Sequence, residues 1–319
     1  MKLKILNLTE EGGVTSQSSL EMAPDWFTDD VVRWIDVTAS EAGEVERLLE
    51  PLELHEKMRE AVTAPKTWPE VISFEKLLFV RMPFLRHDGE LSMLRLVCGP
   101  TAIVSARTSS LDEIEELAGT LEAGVRKVRP TVPDLLIEII EATLRETHPV
   151  GLALREEVND LSISLETRGV DTTFGDLLAL KRRSSTLACL IEDQLICLRE
   201  LRTVRSAVLS LSGVKDDLAD LAGVLEQARP MALRLEDQAR ELRQGYAGLL
   251  QEATNGRLNV LAVLSAIYLP STLIAGIYGM NFDDIPITKI AGGYYIVFSL
   301  MIALVVGQMV FFWLRGWFK

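Results

Sequence analysis

Hydrophobic and polar positions follow three rhythms along this chain, and each predicts a different kind of element. Up to about residue 130, short apolar runs alternate with turn signals, the pattern of strands. Residues 3–8, 31–37, 77–84, 94–97 and 101–105 are predicted strands, the last two joined as a hairpin by Gly99-Pro100. Helical spacing intervenes at 42–50 and 55–62. Ser110 is placed to cap a helix over residues 111–117, whose acidic first turn suits the helix dipole. From Pro133 the period lengthens. Leu135, Ile139, Leu144, Leu152, Val158, Leu161 and Leu165 mark one long helix ending near Gly169. Leu177, Leu180, Leu187, Ile191, Leu195, Leu198, Leu201, Val204, Val208 and Leu211 recur at three and four residues, the coiled-coil spacing, in a second helix closed by Gly213. A third begins at Val214, is interrupted at Pro230 and resumes through Leu235, Leu242 and Leu249, with Asn255-Gly256 as a candidate bend.

The third rhythm has no polar beat. After Arg257 no charge appears until Asp283, a run of about 25 residues and enough to cross roughly 30 Å of hydrocarbon. A second uncharged run occupies 294–314. The fold class predicted is an α/β cytosolic domain followed by long α-helices and a two-helix transmembrane hairpin. Its parts are an α/β domain at 1–130, a long helical hairpin at 131–213, a stalk helix at 214–256, a first membrane helix at 257–282, an extracytoplasmic loop at 283–293, a second membrane helix at 294–314 and a basic tail at 315–319. Arg257, Arg315 and Lys319 flank the spans on one side while the connecting loop is net acidic, so both termini are expected in the cytoplasm of a cell whose inner membrane holds the hairpin. Trp313 and Trp317 at one boundary, with Tyr294 and Tyr295 at the other, suit aromatic belts.

Composition narrows the function. A net charge of −13 disfavours nucleic acid as a partner. Three cysteines, Cys98, Cys189 and Cys197, have no metal-like spacing and suit a reducing compartment, and three scattered histidines, His55, His87 and His148, make a histidine-rich zinc site improbable. No phosphate-binding glycine loop, nucleophile elbow or triad spacing occurs, so no enzyme and no cofactor are expected. Helices this long bury little as monomers, and self-association is the expected remedy.

The segment Leu269-Pro270-Ser271-Thr272-Leu273-Ile274-Ala275-Gly276-Ile277-Tyr278-Gly279-Met280-Asn281-Phe282 resembles the CorA family of divalent metal-ion channels and transporters, carrying its Gly-Met-Asn signature at the end of the penultimate span. Weaker echoes are Trp34-Ile35-Asp36, the block 65–85, Gly99-Pro100, Leu180-Lys181-Arg182 and the ending Trp313-Leu314-Arg315-Gly316-Trp317-Phe318-Lys319, so the resemblance covers nearly the whole chain. It implies a funnel-shaped homopentamer in the lipid bilayer, the first membrane helix of each copy lining one central pore for Mg²⁺, with Co²⁺ or Ni²⁺ as passengers. It also implies that Mg²⁺ is both the transported ion and a regulatory ligand.

On that resemblance, Gly279, Met280 and Asn281 form the selectivity signature, Asn281 as a ring whose amide oxygens accept hydrogen bonds from the waters of a hydrated ion. Counting back in helical steps gives a pore face of Gly276, Thr272, Leu269, Ser265, Ala262, Leu258 and Asn255. Thr272 and Ser265 can touch hydrated ions, Leu269 and Leu258 can gate by dewetting, Ala262 suits close helix packing, and Asn255 marks the cytosolic mouth. Asp283 and Asp284 attract cations at the entrance. They stand where better-known members carry Met-Pro-Glu, and some members have methionine where leucine stands here. Asp112, Glu113, Glu236 and Asp237 are the carboxylates proposed for regulatory metal. Two rivals stand beside the magnesium reading: a zinc transporter of the same superfamily, coupled to protons, and a non-conducting membrane scaffold.

Overall fold

In the computed structural model of the chain, residues 1, 9–13, 18–26, 28, 40–41, 51–55, 65–66, 75, 87–88, 127–128, 169–173, 281–284, 286, 288–289 and 317–319 are left undescribed; the account covers all others. The described chain falls into two units. One holds residues up to 168 and 172–243, and the other holds 244–319.

The first unit is built on a seven-stranded mixed sheet of order β2-β1-β3-β7-β6-β5-β4. Its strands are β1 (Lys2–Leu8), β2 (Val14–Gln17), β3 (Val32–Thr38), β4 (Glu70–Ser73), β5 (Leu78–Leu85), β6 (Leu91–Cys98) and β7 (Ala102–Arg107). Only the central β3–β7 pair is parallel, and β6 and β7 form the expected hairpin. The predicted strands fall on β1, β3, β5, β6 and β7. The two edge strands, β2 and β4, carry no apolar alternation to announce them.

Alternate side chains of each central strand build two cores. Leu6, Trp34, Val80, Met82, Leu96 and Ile103 point to one face. There they meet α3 (Asp112–Glu122), α4 (Val132–Leu144), α5 (Thr147–Arg168), α6 (Phe174–Thr203) and the first part of α7 (Lys215–Tyr278). Ile5, Ile35, Val37, Phe79, Val97 and Val104 point to the other, under α1 (Ala42–Leu49) and α2 (Glu56–Thr63). The helices of residues 131–213 therefore share one core with the sheet. Buried polar groups are threaded through it: Trp34 Nε1 donates to Ser105 Oγ at 2.8 Å, Ser105 Oγ donates to Asp36 at 2.5 Å, and Arg107 pairs with Asp36.

Four helix boundaries differ from expectation. The helix expected over 135–165 breaks into α4 and α5. Pro149 explains the break, because it cannot donate to the carbonyl of Arg145 that a continuous helix would present. The helix expected to close at Gly213 stops at Thr203. Beyond it, the Ser206 hydroxyl accepts from the N–H groups of Val208 and Leu209, a local bond that competes with the helical ladder. Helix α7 runs without a break through Pro230 and through Asn255-Gly256. Pro230 is exposed, so the carbonyl it leaves free can bond to water. Ser110 does not cap α3: the cap position falls on Leu111, which makes no side-chain cap bond.

Candidate functional site

The second unit contains the later part of α7 and all of α8 (Gly293–Leu314), helices long and apolar enough to cross a membrane. Apart from Gly293, no described residue of α8 is buried, although nearly every position is apolar. A helix that is hydrophobic all round and uncovered suits hydrocarbon rather than water. Gly276, Thr272, Leu269, Ser265, Ala262, Leu258 and Asn255, the predicted pore face, are likewise all exposed.

The exposed stripe and the α8-facing side occupy different parts of the α7 circumference. Ala275, Tyr278 and Gly279 line a cavity of about 440 Å³ with Tyr294, Val297, Phe298 and Met301 of α8. Ser265, Leu269, Thr272, Gly276 and Met280 instead line an open groove that no residue of α8 enters. At the helical period the two sets are centred roughly 100° apart, and of the cavity set the half-buried Tyr278 projects nearly opposite the groove. Two polar groups of the stripe, Thr272 and Asn255, are tied to their own helix. The Thr272 hydroxyl donates to the Tyr268 carbonyl at 2.8 Å, which leaves its oxygen free to accept. The Asn255 side-chain oxygen accepts from Gln251 at 3.0 Å.

Helix α7 ends at the signature. Gly279 N–H donates to the Ala275 carbonyl at 2.9 Å and Met280 N–H to the Ile277 carbonyl at 3.3 Å, closing the last turn. A Cβ at Gly279 would stand 3.0 Å from the Ala275 oxygen, so a side chain there would push on the helix end. In the loop that follows, Ile287 is a β-branched residue with φ of 75°, a conformation that costs energy. Its carbonyl accepts from Ile290 and lies 2.2 Å from where a Cβ on Gly293 would be, so the start of α8 requires glycine. Asn281, Asp283 and Asp284 lie outside the described residues.

The four carboxylates proposed for regulation do not form one cluster. Asp237 pairs with Arg240 at 3.1 Å, and Glu236 lies 3.7 Å from Arg240 and accepts from the Ser185 hydroxyl at 3.3 Å. Asp112 is exposed, whereas Glu113 is buried at the start of α3. Glu113 faces Glu146, a residue that sequence reasoning missed because only the turn between α4 and α5 brings it there. The two line a cavity of about 320 Å³ with Arg86 and Arg183. Burial, then the Glu146 carboxylate to which its protonated form can donate, pushes the Glu113 carboxyl up to about 7. Among the described residues, no group of three or more His, Cys, Asp or Glu converges to hold a metal ion.

Comparison with known proteins brings in what single-chain geometry lacks. The profile of a family described as CorA-like Mg²⁺ transporter protein matches residues 29–315. YfjQ of Bacillus subtilis is 29% identical over 214 residues, covering 61% of this chain and 65% of that protein, so the chain spans just under two thirds of its length. A zinc transport protein, ZntB of Pectobacterium atrosepticum, is 26% identical over 300 residues, 88% of this chain and 86% of that protein. The solved structure of the CorA magnesium transporter from Methanocaldococcus jannaschii has the same fold, with a TM-score of 0.75 over 99% of both chains at 16% identity.

Proposed function

The chain belongs to the CorA-like Mg²⁺ transporter family, and on that premise we propose that it conducts divalent cations, Mg²⁺ first among them, across an inner membrane through a pore lined by α7. The observation that carries this reading is the exposed stripe on α7, which mixes Thr272 and Ser265 with Leu269 and Leu258 and leads to Gly279-Met280. A purely lipid-facing surface would gain nothing from those hydroxyls. One chain encloses no bore, so several copies, a homopentamer by family resemblance, bring their stripes together.

Magnesium gives up its waters reluctantly and demands octahedral order. A ring of Asn281 amides accepts hydrogen bonds from those waters without a fixed charge that would trap the ion. Asp283 and Asp284 raise the local cation concentration outside it. Below, Thr272 and Ser265 accept from the hydrated ion, and rings of Leu269 and Leu258 close the path by dewetting when the helices approach. With both termini in the cytoplasm, an inside-negative potential draws each charge inward by roughly 2.3 kcal/mol per 100 mV, and a dication by about twice that. Cytosolic Mg²⁺ acting on the first unit would provide feedback.

The similarity to a zinc transport protein over most of the chain supports a second reading, in which Zn²⁺ moves with a proton gradient. Purified protein in liposomes distinguishes the two. Under an inside-negative potential with no pH gradient, fast Mg²⁺ entry is expected. Exclusion of Mg²⁺, with Zn²⁺ entry only under an imposed proton gradient, would replace magnesium with zinc. Exclusion of both would leave the hairpin as an anchor for a scaffold.

A further inference from the structure

The sheet of the first unit buries two arginines side by side on the face covered by α1 and α2. Arg81 and Arg95 are register partners on β5 and β6, and Arg81 is entirely enclosed while Arg95 is 7% exposed. Arg81 is fully engaged: it pairs with Glu70, and it donates to the Trp68 carbonyl at 3.1 Å and the Ala61 carbonyl at 3.2 Å. Arg95 makes no hydrogen bond or ion pair with any described residue, and its Nε is sealed from solvent without a partner. Its neighbour on the β7 side is Ala106, followed by Val37 on β3, and the same face holds Phe79, Val97, Met58 and Val62. Glu70 is the register partner of Arg81 on β4, across Arg81 from Arg95, so its carboxylate leaves Arg95 unpaired in an apolar setting.

A lysine could escape such a position by losing its proton, but a guanidinium stays charged. Burial, and then the charge of Arg95, lowers the pKa of Arg81, the direction expected when positive charge is left uncompensated. An unpaired buried charge is stable only with a counter-charge and with acceptors for its donors. Arg95 offers an unused planar fork of N–H groups, which matches two oxygens of a tetrahedral oxyanion better than it matches a monatomic ion.

We propose that Arg95, backed by the charge of Arg81, binds a phosphoryl oxyanion on the α1/α2 face of the sheet. The same chemistry is offered by free phosphate and by the phosphate tail of a nucleotide. The site is independent of the ion path and does not rest on the transport reading.

The test uses the full chain in detergent, free of divalent ions, with thermal unfolding followed in phosphate, ATP, acetate and chloride at matched ionic strength. Phosphate at about a hundred times its dissociation constant is expected to raise Tm by roughly 5 °C. Arg95→Met and Arg95→Gln should both lose that rise, and phosphorus NMR line broadening on the unmodified protein should report binding directly. A larger shift with ATP identifies a nucleotide tail, and an equal or larger one with phosphate identifies the free ion. The proposal is overturned if the unmodified protein neither shifts nor broadens the phosphate line, if acetate or chloride shifts it equally, or if both variants respond like the unmodified protein.

Discussion

The two units treat their apolar side chains in opposite ways. In the first, Phe79, Leu96 and Val104 are completely enclosed, each strand sending alternate residues into one of two cores. In the second, Leu269 is 74% exposed, and α8 covers only one side of α7. The hydrophobic effect requires the first arrangement of a chain in water and does not act between helices in lipid. A single chain can thus be complete in its sheet unit and incomplete in its hairpin, and the uncovered stripe on α7 is where the proposed pore would bring further copies and ions. Polar groups differ in a related sense. The Trp34–Ser105–Asp36 group of the sheet is locked internally, whereas Thr272 uses only its donor and keeps an acceptor free.

If this contrast holds, substitutions in the first unit should act on stability and those on the stripe should act on flux. The largest effect is expected from Asp36→Ala, which leaves the fully buried Arg107 with only the more distant Glu115 carboxylate, 4.0 Å away. Loss of about 3–5 kcal/mol is expected in denaturant unfolding of the purified protein, and a loss below about 1 kcal/mol would show that the network is not what orders the sheet. Leu96→Ala should cost about 2–5 kcal/mol by the same measurement, since its methyls leave a cavity between β6 and the helical layer.

A smaller, pH-dependent effect is expected at Glu113. With its carboxyl raised to about 7 by burial and by Glu146, the folded chain holds this proton more tightly than the unfolded chain does. The resulting stabilisation is complete below the ordinary carboxylate pKa and disappears as pH rises through about 7. Glu113→Gln should therefore unfold like the unmodified protein near pH 4 and be more stable by about 1–2 kcal/mol near pH 8. A constant difference across that range would mean that the Glu113 carboxyl is not raised in the folded chain.

The smallest stability change belongs to the stripe. Leu269→Ala should leave denaturant unfolding of the first unit within about 0.5 kcal/mol, yet raise resting Mg²⁺ entry into liposomes by roughly tenfold or less. Unchanged flux would remove Leu269 from the gate.

What was legible in the sequence follows the same division. Strands β3, β5, β6 and β7 announce themselves because both of their faces are buried, whereas β2 and β4 are four-residue edges, each held by one sequence neighbour and too short to show an alternation. Local chemistry decided the helix ends at Pro149 and Ser206, against a period that ran on past them. The α7 stripe was readable because a helix maps spacing onto a face without tertiary help. Glu146 opposite Glu113 was not readable, since their approach depends on where α4 turns into α5. Arg81 and Arg95 did leave a signal, a charge inside each of two otherwise apolar strands, but only the register shows that they are neighbours, with Glu70 on the far side of Arg81.

The central claim is that ions pass along the α7 stripe and not along the side that faces α8. Cysteine introduced at Thr272 or Ser265, and separately at the half-buried Tyr278, tests it in a background where the exposed native Cys189 is replaced by serine. A charged, water-soluble thiol reagent should react at Thr272→Cys and Ser265→Cys in liposomes and block Mg²⁺ entry, while Tyr278→Cys is unreactive and flux persists. Block at Tyr278→Cys with both stripe positions silent would put the ion path elsewhere and contradict the account.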